Sequence, residues 1–213
     1  MTFDTFNKLV PKIQKMSVPG EVSHRLMTPG DRERALKSIH IESKNPRNAA
    51  VMMLLYPKNN HMHLVLILRP TYEGVHSGQI ALPGGKAELG DKDYLATALR
   101  ETNEEVGVHT AGVRMLKKMT KVYIPPSNFW VHPYMGTIDH RPDFIAQEEE
   151  VEEIIEVPLT ELLDEKNVNS KKLTTSYATN IEVPIFELNS YDVWGATAMM
   201  LSELKMLLKR AIV

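Results

Sequence analysis

The pattern of apolar and polar positions is β-like through most of the chain. Two apolar runs, residues 49–56 and 63–69, flank a short polar turn, which is typical of two strands joined as a hairpin. Five more strand candidates lie at residues 79–82, 112–119, 129–138, 153–157 and 181–186. Strands interrupted by helices predict an α/β (α+β) fold with a mixed β-sheet.

The best-defined helix is predicted in the middle of the chain. Its apolar face is formed by Leu95, Ala98, Leu99, Thr102 and Val106. Asp91 is a candidate N-cap and Gly107 a candidate C-terminal stop. A second amphipathic helix is predicted after Asp192, at the end of the chain.

The first 46 residues have a different pattern. Residues 3–16 carry apolar side chains at helical spacing, but Pro11 lacks a backbone N–H, so we expect a broken amphipathic helix. Residues 17–48 form a polar connection with two Pro-Gly pairs, which favours irregular structure. We therefore expect residues 1–46 to be an N-terminal accessory segment, helical and irregular, and residues 47–213 to be the main domain.

Composition and charge narrow the class of protein. A chain of 213 residues suits one domain, and 43% apolar residues are enough for it to fold. The longest apolar run, residues 49–56, is too short to span a bilayer, no secretory signal is recognised, and the absence of cysteine fits a reducing compartment. We expect a cytoplasmic protein without membrane or nucleic-acid partners, since the net charge of −2 attracts neither.

Acidic residues are concentrated on the polar face of the central helix. Glu101, Glu104 and Glu105 fall within one turn, where like charges repel unless a cation lies between them. Magnesium prefers such carboxylate oxygens together with water and phosphate. A solvated acidic face is the alternative. The glycine turn at Gly84 and Gly85, directly before this helix, favours a metal site.

This segment resembles the Nudix box, a glycine and an upstream acid followed by Arg-Glu-x-x-Glu-Glu-x-Gly-apolar. The matching residues are Gly85, Asp91, Arg100, Glu101, Glu104, Glu105, Gly107 and Val108. Asp91 stands where the family usually has glutamate, one additional residue precedes Arg100, and Thr102 replaces an aliphatic residue. The resemblance implies an αβα sandwich with a loop–helix–loop metal site, and makes residues 47–213 a Nudix hydrolase domain.

The resemblance also implies roles for individual residues. Mg²⁺ or Mn²⁺ would be bound by Glu101, Glu104 and Glu105, together with the carbonyl group of Gly85. Arg100 would orient Glu104 or a neighbouring acid within the catalytic group. Which acid acts as general base stays open.

Three residues outside the acidic helix are further candidates. Glu150 is either a more distant metal ligand or one of several solvated glutamates in its segment. Arg69 is a candidate for binding substrate phosphate, with a surface ion pair as the alternative. Gly84 is a candidate for substrate binding, as is its neighbour Gly85.

A second resemblance, to the coenzyme A pyrophosphatases of this superfamily, covers residues 47–208. It rests on residues 47–51, 66–69, 78–85 and 193–198, and on the additional residue before Arg100. Gly74 stands where that group commonly has arginine, and Leu82 where it commonly has phenylalanine.

The resemblance implies that coenzyme A, or an acyl derivative, is cleaved to 3′,5′-ADP and 4′-phosphopantetheine or its acyl form. ADP-ribose or a dinucleotide is the enzymatic alternative, and a non-catalytic nucleotide-binding module is the alternative outside enzymes. The expected partner is a small nucleotide-like molecule, and a homodimer is left open.

Overall fold

The structure, a computed structural model, describes residues 1–30, 41–174 and 180–213. In this part of the chain the central sheet has eight strands. They are β1 Arg47–Lys58, β2 His61–Leu68, β3 Ile80–Ala81, β4 Gly84–Lys86, β5 Arg114–Lys118, β6 Val122–Ile124, β7 Phe129–Thr137 and β8 Glu153–Pro158. A smaller sheet contains β9 Val168–Leu173, β10 Ile181–Leu188 and β11 Tyr191–Val193.

Strand β1 lies at the centre of the main sheet. It pairs in parallel with β7 and antiparallel with β2 and β4, so the predicted mixed sheet is confirmed. Strand β2 also pairs with β3 and β8, and β7 with β5 and β6. The predicted hairpin at residues 49–69 is present, with its turn at Asn59 and Asn60.

The helices cover both faces of this sheet, which gives the expected αβα sandwich. Their bounds are α1 Phe3–Lys15, α2 Glu21–Arg25, α3 Tyr94–Val106, α4 Leu159–Leu163 and α5 Gly195–Ile212. Alternate residues of β1 enter two separate apolar clusters, one with α3 and one with α1, α4 and α5. Because β1 is buried on both faces, residues 49–56 form a continuous apolar run.

Helix α1 continues through Pro11, so the predicted break is wrong. Buried Phe6 and Val10 on one side of Pro11 and Ile13 on the other hold both halves against the core. This packing outweighs the roughly 3 kcal/mol that an interior proline costs. Residues 31–40 of the predicted irregular connection lie outside the described residues, and the domain boundary at residue 47 stays a prediction.

The central helix begins later than predicted. Its N-cap is Asp93, whose side chain accepts a hydrogen bond from the Ala96 N–H, so the assignment of this role to Asp91 is wrong. Gly107 ends the helix with φ of 73°, as predicted. Across the described ranges, every helix is too short or too polar to cross a membrane.

Candidate active site

The turn before α3 has a geometry that only glycine can adopt. Gly84 has φ of 151°, and a Cβ atom there would lie 2.3 Å from the carbonyl oxygen of Ala50. The chain can therefore run directly against β1, with which β4 pairs. The Gly84 N–H donates a 2.7 Å hydrogen bond to Oε2 of Glu105, so the turn and the helix are joined at the site.

Gly85 leaves the space that the Glu101 carboxylate occupies. A Cβ atom on Gly85 would lie 2.4 Å from Oε2 of Glu101. The carboxylate thus lies against the backbone of β4, and Glu101 as a whole residue is 9% exposed. The sequence predicts that the glycine turn and the acidic helix belong to one structural unit, and this contact joins them.

Three carboxylates converge beside this turn. One oxygen from each of Glu101, Glu105 and Glu150 lies within 4.8 Å of the others. These are hard oxygen donors of the kind that magnesium and manganese prefer, so the residues fit a divalent cation. Of the glutamates between positions 148 and 156, Glu150 is the one that the structure brings into this group.

Glu150 reaches the group because its loop is attached to the end of α3. The Gln147 N–H donates to the Glu105 carbonyl at 3.1 Å. The Glu150 N–H in turn donates to the backbone and side-chain oxygens of Gln147 at 3.0 and 2.8 Å. The next residue, Val151, is 2% exposed, so its burial holds the chain in place directly after Glu150. The sequence does not predict this anchoring role of Gln147, because nothing in the local pattern distinguishes it from its neighbours.

The electrostatics of the group favour a bound cation. Burial raises the pKa of Glu105 to about 8; the Gly84 N–H and Arg69 counteract this, and Glu101 and Glu150 add to it. Burial also raises the pKa of Glu101, against the effect of Arg100. Acids with raised pKa values in one cluster lack sufficient positive charge, which a divalent cation would supply.

Arg100 connects the acids around the helix. Its guanidinium contacts Asp91 at 3.0 Å, Glu101 at 2.9 Å and Glu104 at 2.7 Å. It also donates to the Lys86 carbonyl at 3.1 Å. The hydrogen bonds from Arg100 hold the pKa of Asp91 well below its ordinary range. Asp91 therefore secures the arginine, a function that the sequence analysis missed when it assigned Asp91 as the N-cap.

Glu104 lies apart from the other three carboxylates. Its side chain is 53% exposed and paired with Arg100. Among the described residues, the group that could hold a metal contains Glu101, Glu105 and Glu150 without Glu104. The predicted metal and catalytic roles of Glu104 stay predictions.

Arg69 follows the last residue of β2 and lies at the edge of the cluster. Its Nη1 is 3.9 Å from Oε1 of Glu105, and its side chain is 29% exposed. The buried Nε atom has no hydrogen-bond partner within the described ranges. The guanidinium is thus beside the carboxylates with donor capacity left for a further group.

Comparison with known proteins agrees with this geometry. A family model described as NUDIX domain matches residues 46–177, more than half of the chain. The chain belongs to the Nudix hydrolase family. This Nudix hydrolase is 30% identical over 172 residues to the uncharacterized Nudix hydrolase NudL of Yersinia pestis (strain Pestoides F), covering 81% of this chain and 85% of the relative. Membership makes it a pyrophosphohydrolase.

Two solved structures show the same fold as this Nudix hydrolase. The Nudix hydrolase RenU of M. smegmatis aligns with a TM-score of 0.51 at 14% identity, covering 77% of this chain and 87% of that one. The MutT/nudix family protein of Enterococcus faecalis aligns with a TM-score of 0.51 at 16% identity, covering 87% and 75%. At these identities the likeness concerns the fold alone.

Proposed function

We propose that this Nudix hydrolase cleaves the diphosphate bridge of coenzyme A or an acyl derivative, with Mg²⁺ or Mn²⁺. The products are 3′,5′-ADP and 4′-phosphopantetheine or its acyl form. The proposal combines the acidic cluster, which fits a divalent cation, with the sequence resemblance of residues 66–85 and 193–198 to coenzyme A pyrophosphatases.

One contact carries the substrate proposal. The Oγ1 of Thr197, at the start of α5, donates a buried 3.0 Å hydrogen bond to the Ile80 carbonyl in β3. Residues 117 positions apart are thereby joined. Thr197 belongs to residues 193–198 and Ile80 to residues 78–85, which carry the resemblance and also contain Gly85. The contact supports the view that these segments form a single substrate-binding region.

The chemistry follows from the residues around the cluster. Glu101, Glu105 and Glu150 would hold the cation, which would supply positive charge to the phosphate oxygens during attack by water on the diphosphate. The Gly84 N–H fixes the Glu105 carboxylate, and Arg100 fixes Glu101. Arg69 donates to an oxygen of the diphosphate, because a guanidinium suits bidentate phosphate binding.

The test compares kcat/KM for coenzyme A, dephospho-coenzyme A and ADP-ribose in the same Mg²⁺ or Mn²⁺ buffer. We expect coenzyme A to be preferred, with products of the masses of 3′,5′-ADP and 4′-phosphopantetheine. EDTA should abolish turnover. Preference for ADP-ribose with coenzyme A left intact would overturn the substrate proposal, and full activity in EDTA would overturn the metal site.

A further inference from the structure

The loop between β2 and β3 exposes apolar side chains next to Arg69. Tyr72 is 44% exposed and Val75 is 36% exposed. Among the large exposed apolar residues of the described ranges, these are the two that lie between Arg69 and Gly84. Apolar side chains exposed beside a site that binds a small molecule are available to contact that molecule.

The Tyr72 side chain is held in place by the loop itself. Its Oη donates to the Val75 carbonyl at 2.7 Å, and its backbone N–H donates to Oγ of Ser77 at 2.9 Å. The base of the loop is closed by the Gly78 N–H, which donates to the Pro70 carbonyl at 3.2 Å. The polar end of the tyrosine is thus already paired, and what it offers a ligand is its ring.

Gly74 makes room for this ring. A Cβ atom on Gly74 would lie 2.8 Å from Cε2 and 3.1 Å from Cδ2 of Tyr72. Any side chain at position 74 would require the ring to move. The loop therefore presents an aromatic ring at the place where coenzyme A pyrophosphatases commonly have an arginine side chain.

The position of Tyr72 along the chain brings it within reach of the substrate. It is three residues after Arg69, so their Cα atoms are at most about 11 Å apart. Arg69 lies beside the acidic cluster, where the diphosphate is placed. A planar base attached through its sugar to that diphosphate can lie over the ring. An aromatic side chain held at both ends loses little conformational freedom when it stacks on a base.

We propose that Tyr72 stacks on the purine ring of the substrate, and that Gly74 is required because it leaves space for the tyrosine. This inference rests on the proposed function, since its ligand is the nucleotide half of the proposed substrate. It assigns the purine to the β2–β3 loop and gives Tyr72 a role in binding and specificity.

The experiment measures binding of the two halves of coenzyme A to the full chain by calorimetry in Mg²⁺. Tyr72→Leu keeps an apolar side chain but removes the aromatic face, so we expect the Kd for 3′,5′-ADP to rise about tenfold. The Kd for 4′-phosphopantetheine should not change. The Kd of Tyr72→Phe for 3′,5′-ADP should stay within about threefold of the wild-type value, because this variant keeps the ring and loses one hydrogen bond. Val22→Ala, which truncates an exposed apolar side chain of α2 outside this loop, is the control and should leave both Kd values unchanged.

The outcomes separate this inference from the proposed function. Unchanged binding of 3′,5′-ADP by Tyr72→Leu, or weakening of 4′-phosphopantetheine instead, overturns the stacking role. If the wild type cleaves ADP-ribose and leaves coenzyme A intact, the proposed substrate fails, and the calorimetry is repeated with AMP. A tenfold loss of AMP binding in Tyr72→Leu still supports stacking, whereas an unchanged Kd, or no AMP binding by wild type, overturns it.

A double-mutant cycle tests Gly74. Gly74→Ala should weaken 3′,5′-ADP binding in the wild-type background and have little further effect in Tyr72→Leu, because both changes act through the same ring. Gly90→Ala is the control, since a Cβ atom on Gly90 meets nothing within 4 Å. Additive effects of the two substitutions would overturn the role given to Gly74.

Discussion

Two glutamates are buried on opposite faces of the central sheet, and their surroundings differ. Glu105 belongs to α3 and is 1% exposed, whereas Glu203 belongs to α5 and is 0% exposed. Burial raises the pKa of both carboxyl groups. For Glu105 the result is a pKa of about 8, but for Glu203 the neighbouring His24 and the hydrogen bonds from Thr120 outweigh burial and lower the pKa.

The two carboxylates differ in the hydrogen-bond donors and charged groups that surround them. Glu203 accepts hydrogen bonds from the Gly20 N–H at 2.9 Å and from the N–H and Oγ1 of Thr120 at 3.0 and 2.5 Å, and His24 Nε2 is 3.6 Å away. Glu105 accepts the Gly84 N–H and has two further carboxylates within 4.8 Å. A satisfied buried acid stabilises a fold, while an acid left short of positive charge indicates a site for a cation.

The largest effect that follows from this comparison is expected for Glu105→Gln. The substitution removes a carboxylate from the metal site at nearly constant shape, so kcat/KM should fall about 1000-fold. The free energy of unfolding without metal should not fall, since the neighbouring acids repel this charge. Kinetics in Mg²⁺ and urea unfolding in EDTA check the two parts. Turnover close to wild type would contradict the assignment of Glu105.

The next effect is expected at Gly85. Gly85→Ala would place Cβ 2.4 Å from Oε2 of Glu101 and displace that carboxylate, so kcat should fall about 100-fold. Gly90→Ala lies in the loop that follows β4, where a Cβ atom meets open space, and should keep wild-type kcat. Steady-state kinetics of both variants provides the measurement. Equal loss of activity in the two variants would show that the Glu101 contact is not the cause.

Local features of the site are predictable from the sequence, whereas features made by contacts between distant residues are not. The spacing of Glu101 and Glu105 on one helix predicted their convergence, because helical periodicity is a local property. Glu203 sits in the apolar pattern of α5 without any mark of its partners, since Gly20 is 183 positions away. Glu150 could not be chosen among its neighbouring glutamates, because its selection depends on the anchoring of Gln147 to α3.

The same distinction explains which strands were found. The buried strands β1 and β2 were predicted from their apolar runs. Strand β9, Val168–Leu173, has mostly exposed polar residues, and β4 is made of two glycines and a lysine. Both are strands because a partner, β10 or β1, pairs with them. Pairing of this kind is a tertiary effect that overrides intrinsic preference.

A smaller effect, on stability rather than activity, is expected for Glu203→Gln. Removing the charge weakens three hydrogen bonds in a buried position, so the free energy of unfolding should fall by roughly 2 to 3 kcal/mol. The kcat of the folded variant should stay close to wild type, because Glu203 lies on the face opposite the site. Urea unfolding and kinetics measured together test this. Loss of kcat without loss of stability would reverse the comparison between Glu105 and Glu203.

The smallest effect concerns Glu156, a third glutamate that tests whether partners decide the sign of the shift. Its carboxylate accepts hydrogen bonds from Tyr56, Lys58 and Arg141. Burial would raise the pKa of Glu156, but these bonds, with that from Arg141 the largest, lower it from 4.5 to about 2. The folded state therefore favours the ionised form more strongly than the unfolded state does.

The pH window follows from the two pKa values of Glu156. Above about pH 4.5 its carboxyl is ionised in both states and the stabilisation is complete; it is lost as pH falls through 4.5 towards about 2, where the folded state also takes up the proton. Wild type should thus be more stable than Glu156→Gln by about 1 kcal/mol at pH 6, allowing for partial solvent screening, and the difference should shrink at pH 3. Other carboxyl groups titrate in both proteins and cancel in the difference. Urea unfolding at the two pH values measures it, and a difference independent of pH would show that the hydrogen bonds do not hold Glu156 in its charged form.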